Sequence, residues 1–317
     1  MRKIIIINLV ALASSFSFGQ GYNTIAFYNV ENLFDTLDTE GKDDAEFLPN
    51  GKMNWDSPKY TEKLNHINTV LNDLCDPVII GLCEIENKQV VQDIVSHGKM
   101  QNRYDIVHFE SEDNRGIDNA LIYDSTKLKL VDSGFLRFSM PEGDGPTRDI
   151  IWAKFNVNNE TFYAMVNHWP SRRGGSVESE PKRLTAAYAA REFIDSLLTI
   201  DKNSKIVFMG DLNDYPENIA PQLIAEKLQP MINSKSGEFG GSHNYQGNWD
   251  VLDHIFVSPG FSKGKSSKIV KKSGKIHSFP YLLTEYKGNI VPNRTYGGGN
   301  YLGGYSDHLP VTIEIKF

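Results

Sequence analysis

Cysteine is scarce: Cys75 and Cys83 are the only 2 among 317 residues. Cys75 stands just before Pro77 and Cys83 closes the apolar run that starts at Val78, so roughly 17 Å of extended chain separates them, more than a disulfide spans. A disulfide scaffold and a cysteine-held zinc centre are both excluded, and two thiols are expected. Basic charge is short as well. Lys and Arg number 33 against 40 Asp and Glu, a formal net charge of −7, so bulk charge does not draw the chain to polyanions and any nucleic acid must be held by a local patch. Linkers rich in Ser and Gly, heptad runs and internal repeats are all missing, which leaves the chain as one domain around a large core. Gly264-Lys265-Ser266 lacks the glycine that a phosphate-binding loop carries five residues earlier, where Pro259 stands, so a nucleotide-binding loop is excluded.

The N-terminus has the zones of a secretory leader: Arg2-Lys3, the apolar run Ile4 to Ala13, then small residues from Ser14 to Gly19. The apolar zone is too short to span a bilayer, so removal of residues 1–19 before Gln20 is expected, with no cysteine near the cut to take a lipid. Without Arg2 and Lys3, 31 basic residues face 40 acidic ones, a net charge of −9 over residues 20–317. The expectation is a secreted or periplasmic monomer with no stable membrane association.

What the chain does have is polar residues placed at the ends of its apolar runs. Ile206-Val207-Phe208-Met209 reads as a strand buried on both faces, and Gly210 lets the backbone turn at its end. Residues i and i+2 of an extended chain point to one side, so Asp211 and Asn213 are aimed together. A carboxylate there can orient or deprotonate a water, and a neutral amide can hold an oxyanion without adding like charge. By itself such a pair is more often a turn or a helix cap. Other runs end the same way, in Asn29-Val30-Glu31-Asn32, in Glu84-Ile85-Glu86-Asn87 and in Asn167-His168-Trp169-Pro170. Asp253-His254 and Ser306-Asp307-His308 stand just ahead of two further apolar runs. Packing alone does not ask for polar catalytic types at one end of nearly every strong strand.

Between these motifs lie a polar insertion over 35–56, a helix from about Pro58 to Leu74 with Leu64, Ile67, Val70, Leu71 and Leu74 inward, and a second helix over about Lys88 to His97. Asn119 to Tyr123 and Lys127 to Phe138 read as a strand pair, and Ile150 to Asn156 with Thr161 to Asn167 as a hairpin. Ser179 is placed to cap a long helix through Leu198, with Leu184, Ala187, Tyr188, Ile194 and Leu197 inward. Strands and helices mix without strict alternation, which argues for an α+β arrangement of two packed sheets covered by helices. The six lysines from Lys263 to Lys275 read as a solvated hairpin, and the Gly-rich stretch Tyr296 to Tyr305 as either a lid or a permissive connection. Tyr296, Tyr301, Tyr305 and Trp169 are open to two readings, stacking on bases or sugars and packing.

Tyr-Asn-Val-Glu-Asn, Cys-Glu, Asn-His-Trp-Pro-Ser, Gly-Asp-Leu-Asn, Leu-Asp-His and Ser-Asp-His-Leu-Pro follow one another in the order of the endonuclease/exonuclease/phosphatase superfamily, which the chain resembles from about Tyr22 to Phe317. The resemblance implies a deoxyribonuclease I-like four-layer α/β/β/α sandwich of two mixed sheets with the site at one rim. It implies a divalent cation, Mg2+ first and Mn2+ or Ca2+ as substitutes, held through oxygen by Glu84 with Asn29, Glu31 and Asp307. His168 and His308 would flank the scissile phosphate, Asp253 would stand behind His308, Asp211 would handle the water and Asn213 would steady the phosphate. Arg148, Arg172 and Arg173 are the candidate phosphate clamps. His254 is read as a sheet-edge residue. The function implied is a metal-dependent phosphodiesterase acting on nucleic acid; a phosphatase or phospholipase C-type hydrolase of a small phosphorylated molecule or lipid headgroup is the alternative, and a noncatalytic binding module a third.

Overall fold

The computed structural model of the protein describes residues 21–96, 100–263 and 266–317; the expected leader, the end of the second helix at His97 and Gly264-Lys265 lie outside them. Along the chain run β1 (Tyr22–Leu33), α1 (Ser57–Asp73), β2 (Ile79–Ile85), α2 (Lys88–Val95), β3 (Tyr104–His108), β4 (Asp118–Asp124), β5 (Lys129–Leu136), β6 (Ile150–Val157), β7 (Glu160–His168), α3 (Glu180–Ile200), β8 (Ile206–Asp211), α4 (Ile219–Ala225) and β9 (Gln229–Pro230). There follow β10 (His243–Tyr245), β11 (Asn248–Asp250), β12 (Asp253–Val257), α5 (Gly260–Lys263), β13 (Lys268–Ile269), β14 (Lys275–Ile276), β15 (Leu283–Tyr286), β16 (Asn289–Pro292), β17 (Tyr296–Gly297), β18 (Asn300–Tyr301) and β19 (Val311–Lys316).

One sheet has the order β13-β19-β1-β2-β4-β3 with β14 also on β19, and the other the order β5-β6-β7-β8-β12-β9. Each holds one parallel pair, β1 with β2 and β7 with β8, flanked by antiparallel neighbours. The period of two along β8 explains how a strand can be apolar throughout: Val207 and Met209 face the other sheet, while Ile206 and Phe208 pack with Ala187, Ala190 and Ile194 of α3. Leu64, Ile67, Val70 and Leu71 of α1 join the core of the first sheet. Helices, sheet, sheet and helices therefore stack as four layers. At Gly81 a Cβ would meet Met209 Sδ at 2.7 Å, so the sheets pack closely there and a side chain enters only if Met209 shifts.

Side chains cap α1 and α2: Asp56 accepts from Lys59 N and Asn87 from Val90 N. Ser179 does not cap α3 through its side chain; its hydroxyl bonds the Gly175 carbonyl and accepts from Arg183 at 2.7 Å. Tyr188, expected inward, is exposed, because the inner stripe of α3 is Arg183, Ala186, Ala187, Ala190, Ile194 and Leu197. The β6–β7 hairpin is present and turns through Asn158 and Asn159, both at positive φ. The expected pairing of residues 119–123 with 127–138 is not. β4 is buried on both faces between β2 and β3, whereas β5 is a mostly exposed edge beside β6 in the other sheet. The lysine-rich stretch is likewise no hairpin: β13 and β14 both pair with β19, two pieces of one edge whose lysines discourage further pairing. Cys75 is exposed and Cys83 buried, with no disulfide between them. No helix among the described residues is long and apolar enough to cross a membrane.

Far from the strand ends that carry the motifs, buried Asp124 receives Arg103 Nε and Nη2 at 2.9 and 2.8 Å. Burial alone would raise its pKa, but Arg103 and Thr126 hold it below the ordinary carboxylate value. A depressed native pKa stabilises the fold above the unfolded-state pKa, and that contribution fades as pH falls through the native value. Asp124→Asn is expected to lower stability near neutral pH by about 1–3 kcal/mol. In urea titrations the gap to wild type should narrow below about pH 4; a gap that stays constant with pH would contradict this account.

Candidate active site

The topology sends six motif-bearing segments to one rim. β1 and β2 are parallel, as are β7 and β8, so their C-terminal ends emerge together. β19 and β12 run antiparallel to β1 and β8, which brings the segments before them to the same place. Register aligns His168 with Asp211 and Asp211 with Asp253.

Local backbone irregularity then aims the side chains. Pairing of β2 with β4 slips between Cys83 and Ile85, and Glu84 is the extra residue, at φ 61°. Such a bulge turns a side chain out of the pleat, here into the pocket. Glu31, Asn32 and Asn213 also have positive φ, so four non-glycine residues of the rim adopt a backbone that costs free energy. Asn29, fully buried, donates Nδ2 to Asp211 Oδ2 at 3.0 Å and to Glu84 Oε1 at 3.3 Å. Its Oδ1 takes the Glu31 amide at 3.0 Å. Asn29 thus orients two carboxylates, while one lone pair of its Oδ1 is taken by the Glu31 amide.

His168 Nε2 lies 3.8 Å from both Glu84 Oε1 and Asp211 Oδ2, and His308 Nε2 lies 3.7 Å from Asp211 Oδ2. The two imidazoles differ in charge. Burial, with Arg148 close by, pushes His168 well below the ordinary histidine pKa. Burial also works against the charged form of His308, but Asp253, 2.7 Å from Nδ1, and Asp211 outweigh it and hold His308 well above the ordinary value. Asp211 is raised to about 7, by burial first and by Asp253 and Glu84, against the pull of His308.

Other expected residues have different employment. Glu31 does not face the pocket: its carboxylate accepts Thr295 N at 2.6 Å and Tyr296 N at 3.3 Å, so it binds a loop and not a cation. Asn213 commits one Nδ2 proton to the Trp169 carbonyl and its backbone N–H to Asp211 Oδ1, at 3.0 and 2.9 Å, which leaves its second Nδ2 proton as the amide donor available in the pocket. Arg148 is buried, donating to Trp169 O at 2.9 Å and Asp113 at 3.3 Å, so it braces the wall and is no mobile clamp. His254 is buried against the Asp214 carbonyl at 2.9 Å. Arg172 and Arg173 do line the pocket, Arg172 lying 4.1 Å over the Tyr215 ring. Asp307 lines it too, and takes Arg294 Nη2 at 2.7 Å.

Sequence reasoning missed His243, whose ring sits 4.8 Å from that of His308 through the bridge from β10, and Lys182, Tyr215 and Tyr245 along the walls, where Arg115 also stands. Tyr215 falls in an irregular segment, His243 and Tyr245 in the short strand β10 and Lys182 in the first turn of α3, none with a periodic signal that marks a site. Lys63 was legible: it shares a helical stripe with Ile67, Val70 and Leu74, an apolar face where a lysine is out of place. The pocket measures about 1090 Å³. Oxygen donors Glu84 and Asp307 open onto it, and Asp211, Asp253 and His308 have ligand-capable atoms within 4.8 Å of one another, as do His243, Asp307 and His308. This crowding of carboxylates fits a hard divalent cation.

Solved structures of similar fold include a mannosyl-6-phosphatase from Bacteroides thetaiotaomicron, 18% identical, TM-score 0.60, covering 93% of this chain and 100% of that one. The human Nocturnin catalytic domain with a bound sulfate anion is 16% identical, TM-score 0.57, with 93% and 94% covered. D. rerio TDP2 complexed with a single-strand DNA product is 14% identical, TM-score 0.59, with 93% and 99% covered. A search of curated proteins finds no match. The model of the Endonuclease/Exonuclease/phosphatase family matches residues 24–317; the chain belongs to that family and is a phosphoester hydrolase.

Proposed function

We propose that the protein is an exported, divalent-cation-dependent hydrolase whose substrate puts one phosphate ester between His168, Asp211 and His308. The observation that carries this is the sharing of one amide, Asn29 Nδ2, by carboxylates from two different sheets, with both imidazoles within 4 Å of them. Export rests on the leader pattern of residues 1–19. Glu84 and Asp307 are the residues that would hold the cation, Mg2+ first, with Asn29 fixing Glu84 from behind. When bound, the cation supplies Lewis-acid neutralisation of the phosphoryl oxygens.

The chain's own groups do the rest. Asp211, fixed by Asn29 and the Asn213 amide, receives a proton from the attacking water as its oxygen bonds phosphorus. His308, charged and oriented by Asp253, gives its Nε2 proton to the departing oxygen as the P–O bond breaks. Passage of a proton from Asp211 to His308, 3.7 Å apart, restores both. His168, neutral, presents Nε2 to the phosphate's other side.

For substrate, a small phosphorylated molecule is favoured over a polymer. Tyr296 and Tyr301 bond Met53 O and Glu62, Tyr305 stacks on His66 at 4.1 Å, and Trp169 is fully buried, so none is free to stack on a base. Basic groups instead gather inside the pocket as Arg115, Arg172, Arg173 and Lys182. The similarity to a mannosyl-6-phosphatase supports this reading. A nucleic-acid strand is the second reading, favoured by Tyr215 under Arg172 and by exposed Tyr245 on the wall, and by the likeness to a protein holding a DNA product.

His308→Ala and Glu84→Gln are each expected to cost on the order of a hundredfold in kcat on an activated bis-aryl phosphate; rates equal to wild type would end the catalytic reading. Asn29→Ala is expected to weaken cation binding about 10- to 100-fold in calorimetric titration, as loss of a ligand-orienting group does. Phosphate release from sugar phosphates with plasmid DNA left intact would support the small-substrate reading, whereas plasmid cleavage with sugar phosphates untouched would replace it with the nuclease one.

A further inference from the structure

Lys63 is 1% exposed, on the face of α1 that packs into the core. A buried ammonium is unfavourable unless its protons find partners, and among the described residues no carboxylate lies within ion-pair distance of this one. What it touches is the neck of a hairpin. Nζ donates to Thr295 Oγ1 at 2.5 Å and to the Tyr305 carbonyl at 2.6 Å, joining the two strands of the loop that holds β17 and β18. The same neck is closed by Tyr305 N on Asn293 O at 2.5 Å, and by Gly304, where a Cβ would strike Asn293 O at 2.3 Å. From the other side Glu31 holds the amides of Thr295 and Tyr296. Just beyond the two ends of the neck sit Arg294 and Asp307, joined at 2.7 Å.

We propose that Lys63 is a positioning residue for cation binding: by tying residue 295 to residue 305 it sets where Asp307 is presented to the pocket, with Glu31 as the opposing half of the clamp. The proposal rests on the reading of Glu84 and Asp307 as cation holders. It explains why a helix stripe that is otherwise apolar carries a lysine, and why Glu31 accepts a positive φ, since both serve the hairpin that precedes the Ser306-Asp307-His308 motif.

Mn2+ binding, measured by calorimetry and by electron paramagnetic resonance, tests it. In wild type, binding that Glu84→Gln weakens upholds the cation reading; no binding sinks that reading, and this proposal with it, before any hairpin variant is made. Lys63→Met is expected to weaken Mn2+ binding about tenfold or more, and to raise the activating cation concentration in step while kcat at saturating cation stays within a few fold. Leu71→Val, in the same helix but facing the sheet core, serves as control and should lose stability without losing Mn2+ affinity. Lys63→Arg should recover part of the affinity. Should Lys63→Met fail to fold, Thr295→Val removes one acceptor only and is expected to weaken binding several fold. Unchanged Mn2+ affinity in Lys63→Met or Thr295→Val, or an equal loss in Leu71→Val, overturns the proposal.

Discussion

Glu84 and Asp211 come from different sheets and lean on one amide, that of Asn29. Like charges brought together in a buried rim repel, and the fold answers with neutral or positive partners on every side: Asn29 between them, His168 3.8 Å from both, and charged His308 beyond Asp211. That balance is incomplete: burial first, then Asp253 and Glu84, hold the Asp211 pKa up against the pull of His308. Unspent negative charge in a basic-walled pocket is what a hydrolase of phosphate esters uses, first to attract a cation and then to move a proton.

The rest of the structure keeps those groups from drifting apart. Two packed sheets with a parallel pair in each direct four strand ends to one rim, and the sheets pack closely where Gly81 meets Met209. The cost is concentrated where the chemistry is. Glu31, Asn32, Glu84 and Asn213 sit at positive φ, and Asp211 and His168 are buried with their pKa values pushed up and down respectively. Side chains that look reactive in isolation are in part structural: Arg148 and Asn213 meet on the Trp169 carbonyl, and Glu31 and Lys63 on a hairpin neck. Such supports let catalytic groups hold their geometry without being catalytic themselves.

Motifs at strand ends were legible because a period of two and a terminal glycine are local properties. Asp211, Glu84, His168 and His308 could be picked out that way, as could the apolar stripe of α1 and the β6–β7 hairpin. Reading went astray where a residue's partner is remote in sequence. Glu31 looked like a ligand until Thr295 took its carboxylate, 264 residues on. Residues 119–123 and 127–138 looked like partners because they are neighbours in the chain, yet burial on both faces sends one to the middle of a sheet and exposure leaves the other at an edge.

The order of residues by itself determined the longer strands and helices, the chemical types at the rim and, through six short motifs in sequence, the family. Tertiary structure alone decided which of those side chains face the pocket, which protonation state each imidazole holds, and that His243, Arg115 and Tyr215 share the space. The reason is physical. Propensity and periodicity act over a few residues, whereas hydrogen-bond partners, burial and electric field at an atom are set by whatever the folded chain brings within a few ångströms of it, however far away in sequence.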